Sequence, residues 1–323
     1  MPDLIYPKIT LNSSLRNQHA WYEDLISQAQ LHPAIRVAVV HPCSPESLSA
    51  AVEAKDEGLI SPIIIGPESK IQEAAMSADI SLKGLEILPV EHSHAAAALA
   101  VEMASQGKVD AIMKGSLHTD ELLSAILSPN SKLLTGRRLS HAYVMDIPAY
   151  SKPLVITDAA INIAPTLEDK KDICQNAINL MHALGVSKPL LAVIAAVETV
   201  NPKMPATLDA AALSMMSQRG QIRGGIVDGP LGFDNAIDPN SAKIKGITSP
   251  VAGMADILLV PNLEAGNMLA KQLLYFANAD AAGIVLGARM PIILTSRSDS
   301  LRVRLASVAV AKLLVESNNL IKA

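Results

Sequence analysis

Cysteine, aromatic side chains, surplus charge and long uncharged apolar runs are all scarce in this chain. Of 323 residues only Cys43 and Cys174 carry thiols. Two cysteines so far apart give neither a disulfide framework nor the clustered spacing of a metal site. One Trp, five Tyr and two Phe are too few for base-stacking platforms, and no basic stripe accompanies them, which disfavours nucleic acid as a partner. Lys and Arg number 27 against 31 Asp and Glu, a formal net charge of −4, so little charge is in surplus. No uncharged apolar run approaches the ~18 residues of a membrane-spanning helix. Residues 1–10 also lack the charged and then apolar regions of a signal peptide. The expectation is a soluble, cytoplasmic protein with no membrane partner.

What the chain has is aliphatic bulk. It is 50% hydrophobic and 18% charged, with mean hydropathy +0.29, a composition that builds a large core. At ~100–200 residues per domain the length suggests about two domains. Trp21, Tyr22, Leu25, Ile26 and Ala29 repeat with helical spacing. Short aliphatic strands then alternate with helices: strands at 37–40, 63–65, 86–90 and 111–113, helices at 45–57, 68–78, 92–105 and 121–127. Repeated βα units with short turns predict an α/β fold with mostly parallel sheets covered by helices. The alternation breaks over 128–152, where 141–147 and 154–157 read as successive strands beside Pro148 and Pro153. Beyond it come a helix that Thr166 caps and Asp169 braces, strands at 190–197, 225–227, 256–260 and 283–286, and helices at 207–218 and 268–277. The expected division is 1–147 plus 296–323 as one domain, with the C-terminal helix packing back on it, and 148–295 as a second.

Four strand-end loops collect glycines and polar residues. They are Lys114-Gly-Ser-Leu-His-Thr-Asp120, Thr157-Asp-Ala-Ala-Ile-Asn162, Asp228-Gly-Pro-Leu-Gly-Phe-Asp-Asn235 and Thr295-Ser-Arg-Ser-Asp-Ser300. Ligands of open α/β sheets bind beyond strand carboxyl ends, so the four are expected to share one crevice. None has dinucleotide or P-loop glycine spacing, and no His, Glu or Asp set has metal-ligand spacing. In the last loop Ser298, Asp299 or Ser300 each suits a helix N-cap. Hydroxyls, free amides and Arg297 meeting there make a place for a phosphate or other oxyanion, while a capped helix with a solvated arginine fits the same residues. His118 suits a base or a structural donor. Arg137 fits an anion cradle or a solvated loop. Cys174 reads as a small core residue, Cys43 as a loop thiol without a base, and His92 and His94 as surface residues.

Several segments together resemble the phosphate acetyl/butyryltransferases. They are Met113-Lys-Gly-Ser-Leu-His-Thr-Asp120, Asp228-Gly-Pro-Leu-Gly-Phe-Asp-Asn235, Ser249-Pro-Val-Ala-Gly253, Pro261-Asn-Leu-Glu-Ala-Gly-Asn267, Lys271, Ala282-Gly283, Gly287, Pro291 and Ser296-Arg297. The resemblance runs from about Arg36 to the end and is closest to a branch also found fused behind an enoyl-CoA hydratase domain. It implies a two-domain fold like the isocitrate/isopropylmalate dehydrogenases, an active site in the interdomain cleft, and a homodimer formed through the second domain. It further implies acyl transfer between coenzyme A and inorganic phosphate with no metal and no bound cofactor, CoA and acyl phosphate being substrates, and a functional link to an enoyl-CoA hydratase.

That reaction needs a base or cation beside a thiol of pKa ~8.5, donors for a tetrahedral oxyanion, and positive charge for the departing phosphate. The expected catalytic set is Ser296, Arg297, Asp299 and His118, with Arg297 gripping phosphate through two parallel N–H bonds. The expected binding set is Lys114, Gly115, Ser116, Thr119, Arg137, Asp158, Asp228, Asn267, Ser298 and Ser300. Two positions depart from acetyl-specific members as the resemblance describes them. Val303 stands where they carry an aspartate proposed as base, and Leu274 where they tend to carry an arginine. Both point toward longer or branched acyl groups.

Overall fold

The computed structural model describes residues 20–296 and 299–322. It begins with α1 (Ala20–Gln30), then alternates through β1 (Ile35–Val40), α2 (Pro45–Asp56), β2 (Ile60–Gly66), α3 (Glu68–Ser77), β3 (Glu86–Pro89) and α4 (Ser93–Ser105). β4 (Ala111–Lys114) and α5 (Thr119–Leu127) follow, and then β5 (Ser140–Asp146) and β6 (Leu154–Thr157) come with no helix between them. Next are α6 (Leu167–Ala183), β7 (Leu190–Ile194), α7 (Pro205–Gln218), β8 (Ile226–Leu231), α8 (Phe233–Ile237), α9 (Pro239–Ile244), β9 (Ile257–Leu259) and α10 (Leu263–Phe276). β10 (Asp280–Leu286), β11 (Ile292–Ile293) and α11 (Leu301–Lys322) complete the chain.

Local chemistry explains most boundaries. Thr166 Oγ1 accepts from Asp169 N at 3.2 Å while the Asp169 carboxylate accepts from Thr166 N at 3.0 Å, the reciprocal cap expected from the sequence. Ser44 caps α2, and Pro45 occupies its first turn, where a missing N–H costs nothing. One expectation fails at 228–235. The sequence predicts a strand-end loop there, yet β8 continues to Leu231 and α8 starts at Phe233. β8 is the last strand of the sheet, and an edge strand tolerates a proline that a central strand would not.

The strands of the described residues join in one sheet of eleven, ordered β3-β2-β1-β4-β11-β10-β5-β6-β9-β7-β8. β3, β2, β1, β4 and β11 run parallel to one another. β6, β9, β7 and β8 are likewise mutually parallel. Between these groups β11–β10, β10–β5 and β5–β6 pair antiparallel, so the second group runs opposite to the first. Carboxyl ends of the two groups therefore lie on opposite edges. β10 and β11, which by residue number fall in the expected second domain, stand in the sheet between β4 and β5.

One face of the sheet carries a continuous core under α1, α2, α3, α6, α7 and α11. The other face carries two. The first is packed by α4 and α5 over β1, β2, β4 and β11; the second is packed by α8 and α10 over β5, β6, β7 and β9. Where they meet, over β5 and β10, Gly283 keeps the floor low. A Cβ there would lie 2.8 Å from the Leu294 carbonyl and 3.2 Å from the His141 ring.

At the end of β4 the packing is tighter still. Gly115 N donates to the Val40 carbonyl at 2.9 Å, and a Cβ on Gly115 would meet that oxygen at 2.5 Å and His41 O at 2.6 Å. These are backbone atoms that cannot swing aside. Gly115→Ala is expected to lower the unfolding free energy by about 1–3 kcal/mol, measured by urea denaturation; an unchanged midpoint would contradict this packing.

Candidate active site

β11 delivers Thr295 and Ser296 to the edge where β1, β2 and β4 also end. Of the three possible caps the structure uses Ser300, whose Oγ accepts from Val303 N at 3.3 Å. Asp299, relieved of capping, turns back, and its carboxylate accepts from Ser296 N at 2.6 Å. Arg304, one turn into α11 and buried, holds the same turn from behind. Its Nη2 donates to Ser296 O at 3.0 Å and its Nε to Asp299 O at 3.2 Å. Carboxylate and guanidinium thus hold Ser296 and Asp299 together from two sides.

A cavity of about 220 Å³ opens beside this turn. Ser296, Asp299 and Ser300 line one side, Tyr143 and Lys271 add polar groups, and Leu274, Ala279 and Val303 give an apolar wall. Burial raises the Asp299 pKa above the ordinary carboxylate value, and the Ser296 N–H and the charges of Arg304, Lys114 and Lys271 pull it partly back. Burial and then the Asp299 charge push the Tyr143 phenol up to about 12, so it stays a neutral donor. Beneath, burial holds fully enclosed His141 at about 4, a neutral ring beside the Leu294 carbonyl.

The structure brings only part of the expected set together. Ser296, Asp299, Ser300 and Lys114 converge. Lys114 is buried, its Nζ donating to Gly115 O and Leu117 O at 3.2 Å each, and its charge is felt at Asp299. Gly115 and Ser116 hold loops. Ser116 Oγ donates to His41 O at 2.8 Å and accepts from Cys43 N at 3.1 Å. His118 is the exposed N-cap residue of α5 without a side-chain cap bond, and Thr119 opens that helix. Asn267 lies four residues before Lys271 on α10, hence on the same face, with its Nδ2 donating to Ala159 O at 3.2 Å. Arg297 and Ser298 lie outside the described residues.

The expectation of one shared crevice needs correction. Because the second strand group is reversed, Asp158 and Asp228 belong to strands whose carboxyl ends face the opposite edge. Asp158 is spent on its own loop, accepting from Ala160 N, Ile161 N, Asn162 N and Asn162 Nδ2. Asp228 sits in the edge strand β8, six strands from β11, about 29 Å at ordinary strand spacing. Arg137 precedes β5 at that far edge and lines a different cavity. Cys174 is fully buried with its thiol pKa raised, and burial pushes half-buried Cys43 up to about 11, which leaves neither poised as a nucleophile.

Four side chains of the site carried no role in the sequence reading. Arg304 and Tyr143 had none, Lys271 entered only as part of a resemblance, and Thr295 only as the end of a strand. Thr295 Oγ1 is buried without a hydrogen-bond partner among the described residues. Spacing carried a signal for Arg304, since eight residues from Ser296 returns an α11 side chain to the turn, but nothing in spacing relates Tyr143 or Lys271 to it.

A strand-tip turn with a buried carboxylate among cations, beside an apolar-walled cavity, gives an α/β protein with a pocket suited to a ligand polar at one end and apolar at the other. Residues 91–312 match the family model described as phosphate acetyl/butaryl transferase. The chain is 55% identical over 296 residues to a phosphate acetyltransferase of Rhizobium meliloti, covering 92% of this chain and 94% of that protein. It is 43% identical over 289 residues to a probable phosphate butyryltransferase of Bacillus subtilis strain 168, covering 90% and 96%. Among solved structures, a branched-chain phosphotransacylase from Enterococcus faecalis V583 superposes with TM-score 0.77 at 30% identity, covering 87% and 99%. A Streptococcus pyogenes phosphotransacetylase shares the fold at TM-score 0.77 and 20% identity, covering 91% and 99%. This chain belongs to the phosphate acetyl/butyryl transferase family. It is an acyltransferase.

Arg304→Gln leaves two turn carbonyls without their charged donor. A misplaced turn is expected to lower kcat about 10²-fold with a smaller change in KM, read by steady-state kinetics alongside a melting curve. Full turnover in a folded variant would remove Arg304 from the positioning of this turn.

Proposed function

We propose that the chain moves an acetyl or other short acyl group reversibly between CoA and inorganic phosphate at the turn between Ser296 and Arg304. The observation that carries this is the Asp299 carboxylate, held back on Ser296 N and flanked by cations at the mouth of an apolar-walled cavity. In the acyl-CoA-forming direction Asp299 takes the proton of the CoA thiol. The sulfur attacks the acyl carbon, the oxyanion that forms accepts from Ser296, and its collapse breaks the acyl carbon–oxygen bond and releases phosphate. Lys114 and Lys271 supply positive charge near the leaving group, and Arg297, next to Ser296 in sequence, is assigned its grip on phosphate. Asp299 so fills the role that Val303 cannot.

Leu274, Ala279 and Val303 favour a second reading within the family, a butyryl-type preference, because they offer methylene contacts to a longer chain. Each methylene in such a pocket is worth roughly 1–3 kcal/mol of discrimination.

The active site is assigned to a cleft between two domains, in an isocitrate/isopropylmalate dehydrogenase-like arrangement of 1–147 plus 296–323 against 148–295. The break between two cores over β5 and β10 supports it. The reading places the work in the cytoplasm, where CoA is used. No helix among the described residues is long and apolar enough to cross a membrane. An enoyl-CoA hydratase, which acts on acyl thioesters, is a functional partner consistent with it. A homodimer through the second domain is supported by Met268, Tyr275 and Phe276, which leave apolar surface on α10, Phe276 being 88% exposed. Sedimentation equilibrium is expected to give twice the 34.1 kDa chain mass, and a monomer at micromolar concentration would refute the dimer.

Thiol release with phosphate from acetyl-, propionyl-, butyryl- and isobutyryl-CoA tests the activity. Turnover of acetyl-CoA and of at least one longer substrate is expected, and none from any of the four would overturn the reading. Asp299→Asn should cost about 10²–10⁴ in kcat. With its pKa raised by burial, Asp299 is a base above that pKa and is lost as pH falls through it. The acid limb of wild-type kcat should therefore lie above the ordinary ~3.9 of aspartate and be absent in the variant; a limb of the same position in both would assign the base elsewhere.

A further inference from the structure

A cavity of about 400 Å³ lies at the sheet edge opposite Ser296 and is not used by the chemistry above. Its size falls in the usual small-molecule range of roughly 300–1,000 Å³. Two arginines line it, Arg137 from the loop before β5 and Arg289 from the link between β10 and β11, and no Asp or Glu among the described residues does. Neither guanidinium makes an ion pair with a carboxylate among the described residues. Arg137 Nη1 meets the Asn179 side-chain oxygen at 2.9 Å once that amide is oriented to satisfy its neighbours. Behind the arginines the floor is apolar, from Leu180, Leu286 and Leu314, and Asn318 adds an amide at the far side.

The walls are built rather than loose. Thr135 Oγ1 donates to Gly287 O at 2.6 Å, Arg289 N donates to Leu133 O at 2.9 Å, and Leu134 bridges to Ala288. Arg137 and Arg289 are thus presented from two chain segments fastened together. Planar guanidiniums favour phosphate, which they bind bidentately, and the apolar floor with flanking amides suits a flat heterocycle bearing polar edges.

We propose that this cavity binds a nucleoside phosphate, with its phosphate on Arg137 and Arg289 and its base over Leu180, Leu286 and Leu314, and that occupancy tunes acyl transfer. Both walls lead to the catalytic turn. Arg289 to Pro291 runs straight into β11 and so to Ser296, while Leu314 and Asn318 belong to α11, whose first turn carries Arg304. The shared chemistry has two sources, a free nucleotide or the nucleotide end of a further CoA molecule. The proposal rests on the acyltransferase reading only for the tuning, since binding is measured separately.

Isothermal titration calorimetry on the full chain, with ADP, adenosine and CoA as probes, tests it. ADP is expected to bind at one site per chain and adenosine at least tenfold more weakly. The double variant Arg137→Gln/Arg289→Gln should weaken ADP at least tenfold while its thiol release without nucleotide stays unchanged. Saturating ADP should change wild-type kcat or KM at least twofold and leave the variant unaffected. Where CoA at saturation leaves ADP binding intact, the source is free nucleotide; where CoA gives a second binding event that the variant loses, the source is CoA. ADP binding of equal strength in wild type and variant, or displaced by one equivalent of CoA without dependence on the arginines, would overturn the site. Binding with no change in turnover would overturn the tuning. Single variants Arg137→Gln and Arg289→Gln keep the test sound if the double variant melts early. Absence of thiol release in every form would instead refute the acyltransferase reading and leave the binding result standing.

Discussion

A strand of two residues holds the molecule's two halves in one sheet. Ile292 and Ile293 pair parallel with β4 on one side and antiparallel with β10 on the other. Both side chains are fully buried, on opposite faces, at about 1.5–3 kcal/mol each for such burial. With strand direction reversed across β11, β10 and β5, each parallel group keeps its own helices on one face while α11 and α6 cover the other. The gap between the two separate cores opens where β11 ends.

That placement explains the electrostatics of the turn. Asp299 is buried enough to resist ionisation, yet an amide and three cations are directed at it. Opposing influences of this kind leave a carboxylate responsive to a substrate's arrival, which a fully solvated or fully neutralised group would not be. Arg304 donates to the Ser296 and Asp299 carbonyls, so it sets the geometry of the turn while its charge lowers the Asp299 pKa. Arg302 secures the same first turn of α11 on another side, donating to Asp280 at 2.8 Å and lying over the Tyr22 ring at 3.6 Å. α1 is thereby tied to the border of the site.

Much of the fold was legible because hydrophobic period and punctuation agree along the chain. The cap at Thr166 falls where the sequence places it, and Gly58, Gly107 and Gly185 follow helix ends with the positive φ that glycine allows. The misreading at 228–235 arose because Gly and Pro punctuate only when the backbone needs hydrogen bonds on both sides, and β8 lies at the edge. For the site, Ser296, Asp299 and Ser300 were legible as one local turn, and Lys114 as a lysine at a strand tip. Asp158 and Asp228 are grouped with them on the rule that strand carboxyl ends share an edge, and that rule holds only while all strands run one way; Arg137 joins them only as a cation suited to an anion cradle.

The sequence alone determined the α/β class, nearly every element, the turn that starts α11 and the family resemblance. These depend on neighbours a few residues apart, whose spacing is fixed by helix and strand geometry. Tertiary structure decided which strand tips meet, which serine caps α11, that Asp299 faces Ser296, and that Tyr143 and Lys271 join them. It also placed Arg137 beside Arg289, away from Ser296. Tyr143 with Ser296 and Arg137 with Arg289 are pairs more than a hundred positions apart, and such pairs follow from strand direction and order, which local propensity does not encode.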